Sequence, residues 1–123
     1  MKRFVRLTGI FLIAAMLCGT LTGCKAFDYR KAQKLCDKGE YLEASALFSS
    51  LEDYKDSAEQ ANEAYRLYGV QLSESGNYEA SILVLETLVD TYAPAQETLN
   101  DVRIAYGEDL AKNQNYEKAT EIF

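Results

Sequence analysis

The chain has 123 residues, which at roughly 100 to 200 residues per domain is room for one small domain and a targeting segment, so a multidomain enzyme is excluded. Its 13 lysines and arginines stand against 19 aspartates and glutamates, and once residues 1–23 are set aside the rest carries ten bases and nineteen acids, a formal charge of −9. That balance repels phosphate backbones and anionic headgroups, so no nucleic-acid partner is expected. Histidine is absent, which removes the commonest general base and the commonest nitrogen ligand for metals: no catalytic residue, no metal and no diffusible cofactor are expected.

The N-terminus opens with Lys2, Arg3 and Arg6, continues through the uncharged run from Leu7 to Leu21, and closes on Leu21-Thr22-Gly23-Cys24. A basic region, a short apolar region and small residues at a cleavage point are the order of a secretory signal. The closing tetrad resembles the lipobox of bacterial lipoproteins. That resemblance implies a signal peptide over 1–23, a diacylglycerol held through a thioether on the Cys24 thiol with fatty acylation of Cys24, and a short tether over 24–27. An uncleaved anchor is the competing reading, but the 17 uncharged residues from Leu7 to Gly23 fall short of the roughly 20 a spanning helix needs. Cys36 stands alone in the exported part, so no internal disulfide is expected, and a lone cysteine in a helical segment reads as a small packing residue.

From residue 28 the chain repeats. Gly39-Glu40-Tyr41 returns as Gly76-Asn77-Tyr78 and, with glutamine in the glycine place, as Gln114-Asn115-Tyr116. Small residues follow each tyrosine by three (Ala44, Ser81, Ala119) and large apolar ones by seven (Phe48, Leu85, Phe123). Leu35, Leu72 and Leu110 precede each tyrosine by six, and Ala32, Gly69 and Gly107 stand three residues before those leucines. This predicts first helices over Asp28–Lys38, Asp56–Ser75 and Ala95–Asn113. Second helices are expected over Tyr41–Glu52, Tyr78–Thr91 and from Tyr116 onward. Gly39 and Gly76 suit left-handed helix ends, and Asn113 to Asn115 are expected to serve the third. Asp56 and Ser57 offer side-chain caps, and Pro94 suits a first helical turn. A glycine recurring inside helices, as Gly69 and Gly107 do, predicts a neighbour too close for a side chain.

The pattern resembles the tetratricopeptide repeat, with a period of 37 and then 38 residues where 34 is usual. The resemblance covers nearly all of 28–123. It implies an all-α fold: a right-handed α-solenoid of about three helix pairs, the last incomplete. Its concave face would bind a protein or peptide partner through Tyr29, Gln33 and Cys36 of the first pair, Arg66, Val70 and Glu74 of the second, and Ile104, Glu108 and Lys112 of the third. An equal reading of these positions is plain helix surface.

No phosphate loop, nucleophile elbow or metal-ligand spacing is present, and the adjacent carboxylates Glu52-Asp53 and Glu108-Asp109 read as solvated surface. The expected function is a lipid-anchored adaptor on the extracytoplasmic face of a bacterial cytoplasmic membrane, or of the outer membrane where there is one. The alternatives are an exported small-solute receptor, an accessory subunit of an enzyme or transport complex, and the front part of a longer lipoprotein. A short last helix is expected to leave an apolar edge of Tyr106, Leu110, Ala119, Ile122 and Phe123 partly uncovered, as a surface for self-association or a site of fraying.

Overall fold

The computed structural model describes residues 23–113 and 115–122. Residues 1–22, which hold most of the expected signal peptide, lie outside that range, as do Gln114, the side chain of Tyr116, and Phe123. The described residues form six helices and no strand: α1 over 23–37, α2 over Tyr41–Ser50, α3 over Ser57–Glu74, α4 over Tyr78–Glu86, α5 over Pro94–Lys112 and α6 over Tyr116–Ile122. The fold is all-α. Each helix from α2 onward packs mainly on its sequence neighbours, and α3 also meets α5.

The turns repeat at the level of single hydrogen bonds. The Glu40 amide donates to the Leu35 carbonyl (2.9 Å), Asn77 to Leu72 (2.8 Å) and Asn115 to Leu110 (2.8 Å). This six-to-one bond closes a helix end and satisfies a carbonyl that would otherwise lack a donor. Gly39 (φ 76°) and Gly76 (φ 83°) take the left-handed conformation the closure needs. The following helices α2, α4 and α6 then start at Tyr41, Tyr78 and Tyr116.

Small residues decide how closely the pairs approach. Ala32, Ala44 and Ser81 are fully buried and Ala119 nearly so. The Ser81 hydroxyl donates to the Gly69 carbonyl (2.6 Å), and Ser45 does the same to Ala61 (2.9 Å), so neither buried hydroxyl lacks a partner. A Cβ built on Gly69 would lie 2.9 Å from Leu85 Cγ and 3.0 Å from its Cδ2, so the close approach expected there is present. Around these contacts Tyr29, Ala32, Phe48, Leu51 and Ala61 form one apolar cluster, and Leu85, Leu99 and Val102 a second.

Several local expectations are corrected. Residues 24–27 are helical and continuous with α1. The second helices stop sooner than expected, at Ser50 and Glu86, because Leu51 and Leu88 turn inward and are buried in the connectors. Asp56 does not cap α3 with its side chain; its carboxylate instead accepts hydrogen bonds from the Tyr29 hydroxyl and from Gln60 Nε2 (3.0 Å). Ser57 points its hydroxyl at the Tyr54 carbonyl. Pro94 does occupy the first turn of α5. Glu52 (φ 53°) and Lys55 (φ 50°) are left-handed without being glycine, a conformation costing roughly 1–2 kcal/mol per residue, offset here by Leu51 burial and by Tyr54, whose ring meets Tyr29 edge-on at 5.8 Å.

The expected C-terminal edge is also largely covered. Tyr106, Leu110 and Ala119 are buried in a cluster with Tyr78 and Ile82 of α4, and Ile122 is half-buried against it. Tyr106 stacks on Tyr78 (5.2 Å between ring centres) and donates its hydroxyl to Glu79 (2.7 Å), which also binds Lys118 of α6 at 2.7 Å. Even a two-turn helix is held when its apolar face finds a neighbour. Phe123 lies outside the described residues.

Candidate functional site

Arg66, Val70 and Glu74 recur every four residues along α3 and so share one stripe of that helix. With Ser73 they form one wall of a groove of about 310 Å³, and Thr98, Asp101, Val102 and Ala105 of α5 form the other. Val70, Val102 and Ala105 make an apolar lining, and Glu74 and the exposed Asp101 put carboxylates along it.

Arg66 does not offer a free charge to this groove. Its guanidinium grips Glu63 with two bonds, Nε to Oε2 at 2.9 Å and the terminal nitrogen to Oε1 at 2.6 Å, and reaches Thr98 Oγ1 across to α5 at 3.0 Å. Tyr92, in the connector before α5, donates its hydroxyl to the same Glu63 carboxylate at 2.7 Å. The Arg66 hydrogen bonds hold Glu63 below the usual carboxylate range against the opposing effect of burial, and Glu63 in turn raises Arg66. This network joins α3 to α5 and to the connector between α4 and α5. With Arg66 neutralised in place, Glu74 and Asp101 leave the groove with acidic character.

The other expected groove residues are not brought together. Tyr29 belongs to the core: it is buried, its ring meets Phe48 edge-on at 5.4 Å, and its hydroxyl is spent on Asp56. Gln33 is exposed on α1, and Glu108 and Lys112 are exposed on α5. Ile104 is exposed as well, but it lines a different depression, with Ile82 and Glu86 of α4, Arg103 of α5 and Ile122 of α6. The reason is geometric. A groove between neighbouring helices is walled by the side of one that faces the other, so its two walls come from different phases of a repeat. Carrying the phase of Arg66 and Val70 forward reaches Ile104 and Glu108, whereas the facing wall is Thr98, Asp101 and Ala105. The inward stripe Ala95, Leu99, Val102 and Tyr106 on α5 is legible in the sequence, and the wall beside it could have been placed from that stripe.

Cys24 is exposed and neither it nor Cys36 is in a disulfide. Cys36 is half-buried against the first apolar cluster, and burial, then the nearby Asp37 and Glu63, push its thiol above the ordinary value. It is held protonated, as a packing residue is. Among the described residues no group of histidine, cysteine, aspartate and glutamate is arranged to hold a metal ion, and no helix is long and apolar enough to cross a membrane.

The phenol–carboxylate bonds carry a pH dependence. Hydrogen bonding to Asp56, then burial, pushes Tyr29 up to about 12, and hydrogen bonding to Glu63, then burial, pushes Tyr92 up to about 12. A pKa raised on folding contributes stability that is complete below the unfolded value of about 10 and is lost as pH rises through the folded one. Stability is therefore expected to fall between about pH 10 and 12. In an ultraviolet titration Tyr92→Phe should remove one late phenolate and flatten part of that fall; an unchanged curve would mean the Tyr92 bond contributes nothing.

No protein-family model matches the chain, and no curated protein and no solved structure matches it significantly.

Proposed function

We propose that this chain is a lipid-anchored adaptor of the bacterial cell envelope, a right-handed tetratricopeptide-like solenoid of about three helix pairs that holds a segment of a partner protein on the extracytoplasmic face of a membrane. The observation that carries the reading is the groove between α3 and α5. It is open, its lining is apolar at Val70, Val102 and Ala105, and its carboxylates Glu74 and Asp101 stand where a chain laid along it would present polar groups. Because it is open along its length, it suits the side chains of an extended segment better than a small solute, which a binding pocket encloses. The six-to-one bonds at Leu35, Leu72 and Leu110 support the repeat reading, because each closes a helix hairpin at the same place in the pattern. Cys24, exposed at the start of α1, is where the lipid would attach.

Both halves have direct tests. Metabolic labelling with a fatty-acid probe should tag the wild type and leave Cys24→Ser dark; equal labelling would remove the lipid anchor. A photo-crosslinking residue at Val70 should give adducts in cells that the same residue at the exposed Leu83 of α4 does not. Identical adduct patterns would show that the groove is ordinary surface.

A further inference from the structure

The formal charge of the domain is unevenly placed. Residues 24–38 hold five bases and two acids, whereas 39–123 hold five bases and seventeen acids. Along α1 and into the turn that ends it, at 3.6 residues per turn, Phe27, Arg30, Lys31, Lys34 and Lys38 fall within an arc of about 100°, opposite Tyr29, Ala32 and Cys36, which face the core. All five are exposed, Phe27 at 69 % of its full surface, and none of the four cations is in an ion pair among the described residues. Neither acid of α1, Asp28 or Asp37, lies within that arc, and across the helix edge Glu43 of α2 lines the same shallow depression as Lys31. Cys24 is two helical turns before Lys31, at the border of the arc.

We infer that this face of α1 is a membrane-surface helix: it lies along a bilayer containing anionic phospholipid, with Phe27 seated among the headgroups and the four cations on lipid phosphates. The repulsion expected from the net charge of the whole domain acts on its acidic bulk, and so turns that bulk away from the bilayer while α1 turns toward it. A diacylglycerol on Cys24 would hold the chain on the bilayer without fixing its attitude, and a basic patch adds an electrostatic attraction to anionic lipid that sets which face turns toward the surface. An aromatic flanked by lysine and arginine is the side-chain set an interfacial helix uses, the ring taking the apolar boundary and the long cationic stems reaching the phosphates. The orientation holds α1 flat and gives the α3–α5 groove a fixed attitude above the surface, which a flexible tether would not.

The inference concerns how α1 meets lipid, and it stands or falls separately from the lipid on Cys24. The chain has no tryptophan, so Phe27→Trp places a single fluorescent reporter on the face, and Leu83→Trp, also at an exposed position, places one on α4 as the control. Full chain purified from bacterial membranes is reconstituted into vesicles of phosphatidylcholine, with or without phosphatidylglycerol, and the reporter is read by quenching from brominated phosphatidylcholine. The indole of Phe27→Trp should be quenched and blue-shifted when phosphatidylglycerol is present, and that of Leu83→Trp should not. Each cation near an anionic surface changes the docked-to-free ratio about fivefold, so Arg30, Lys31 and Lys34 all replaced by glutamine should lower that ratio roughly a hundredfold, and raised salt should act in the same direction. These positions are exposed and outside any ion pair among the described residues, so the triple variant should keep its helical circular dichroism. Quenching of the α1 reporter that is equal with and without phosphatidylglycerol, or unchanged in the triple variant, overturns the inference, because the attachment alone would then explain it. Absent quenching with a blue shift on adding polyglutamate overturns it too, and reassigns the face to an acidic protein. Fatty-acid labelling of Cys24 with an unquenched α1 reporter would leave the anchor standing and the docked helix refuted.

Discussion

Gly69→Leu should lower the stability of the domain by about 1–3 kcal/mol or more, a drop in Tm of roughly 5 to 20 °C for a domain of this size, even though leucine is the better helix former by nearly 1 kcal/mol. The first new atom is already too many: a Cβ on Gly69 lies 2.9 Å from Leu85 Cγ. That carbon is the branch point of a completely buried side chain, not a free end, so α4 must move for it to yield. Moving α4 would also stretch the 2.6 Å bond from the Ser81 hydroxyl to the Gly69 carbonyl. A thermal melt of residues 24–123 carrying Cys24→Ser is the measurement. Gly69→Ala paired with Leu85→Ala should cost less than the two changes separately, since each relieves the other. A Gly69→Leu domain that melts higher than its parent would mean α3 and α4 do not meet there.

Phe48→Ala should cost about 3–5 kcal/mol, a large part of the 5–15 kcal/mol by which a domain is ordinarily stable, and Phe27→Ala should cost close to nothing in solution. The two phenylalanines differ only in place. Phe48 is 1 % exposed and fills the space between α1, α2 and the following connector, against Tyr29 and Leu51; Phe27 is 69 % exposed. Loss of Phe48 would also free the Tyr29 ring and with it the bond to Asp56. Urea unfolding of both variants checks the pair. Comparable losses at the two positions would show that α1 is not seated as described, and would remove the exposed face on which membrane docking rests.

What the amino-acid sequence determines by itself here is the helical period and its punctuation. Gly39 and Gly76 must be left-handed to close their hairpins, Tyr41, Tyr78 and Tyr116 start the next helices, and Gly69, Ser81, Ala44 and Ala119 are small where helices touch. These are local or nearest-neighbour requirements, and a one-dimensional pattern carries them. Tertiary structure alone decides where each remaining side chain spends its polar group. Tyr29 and Arg66 occupy equivalent places in the repeat, yet the ring of one packs in the core against Phe48 while its hydroxyl reaches the exposed Asp56, and the other is held at a groove by Glu63 and Thr98. Nothing in the spacing distinguishes them, because the partners Asp56 and Thr98 lie 27 and 32 residues away and are positioned by turns whose course depends on the burial of Leu51 and Leu88. The walls of the α3–α5 groove are decided in the same way, by which sides of two packed helices face each other. A periodic sequence determines which residues are equivalent, and only the packing of one repeat on the next determines which of them meet.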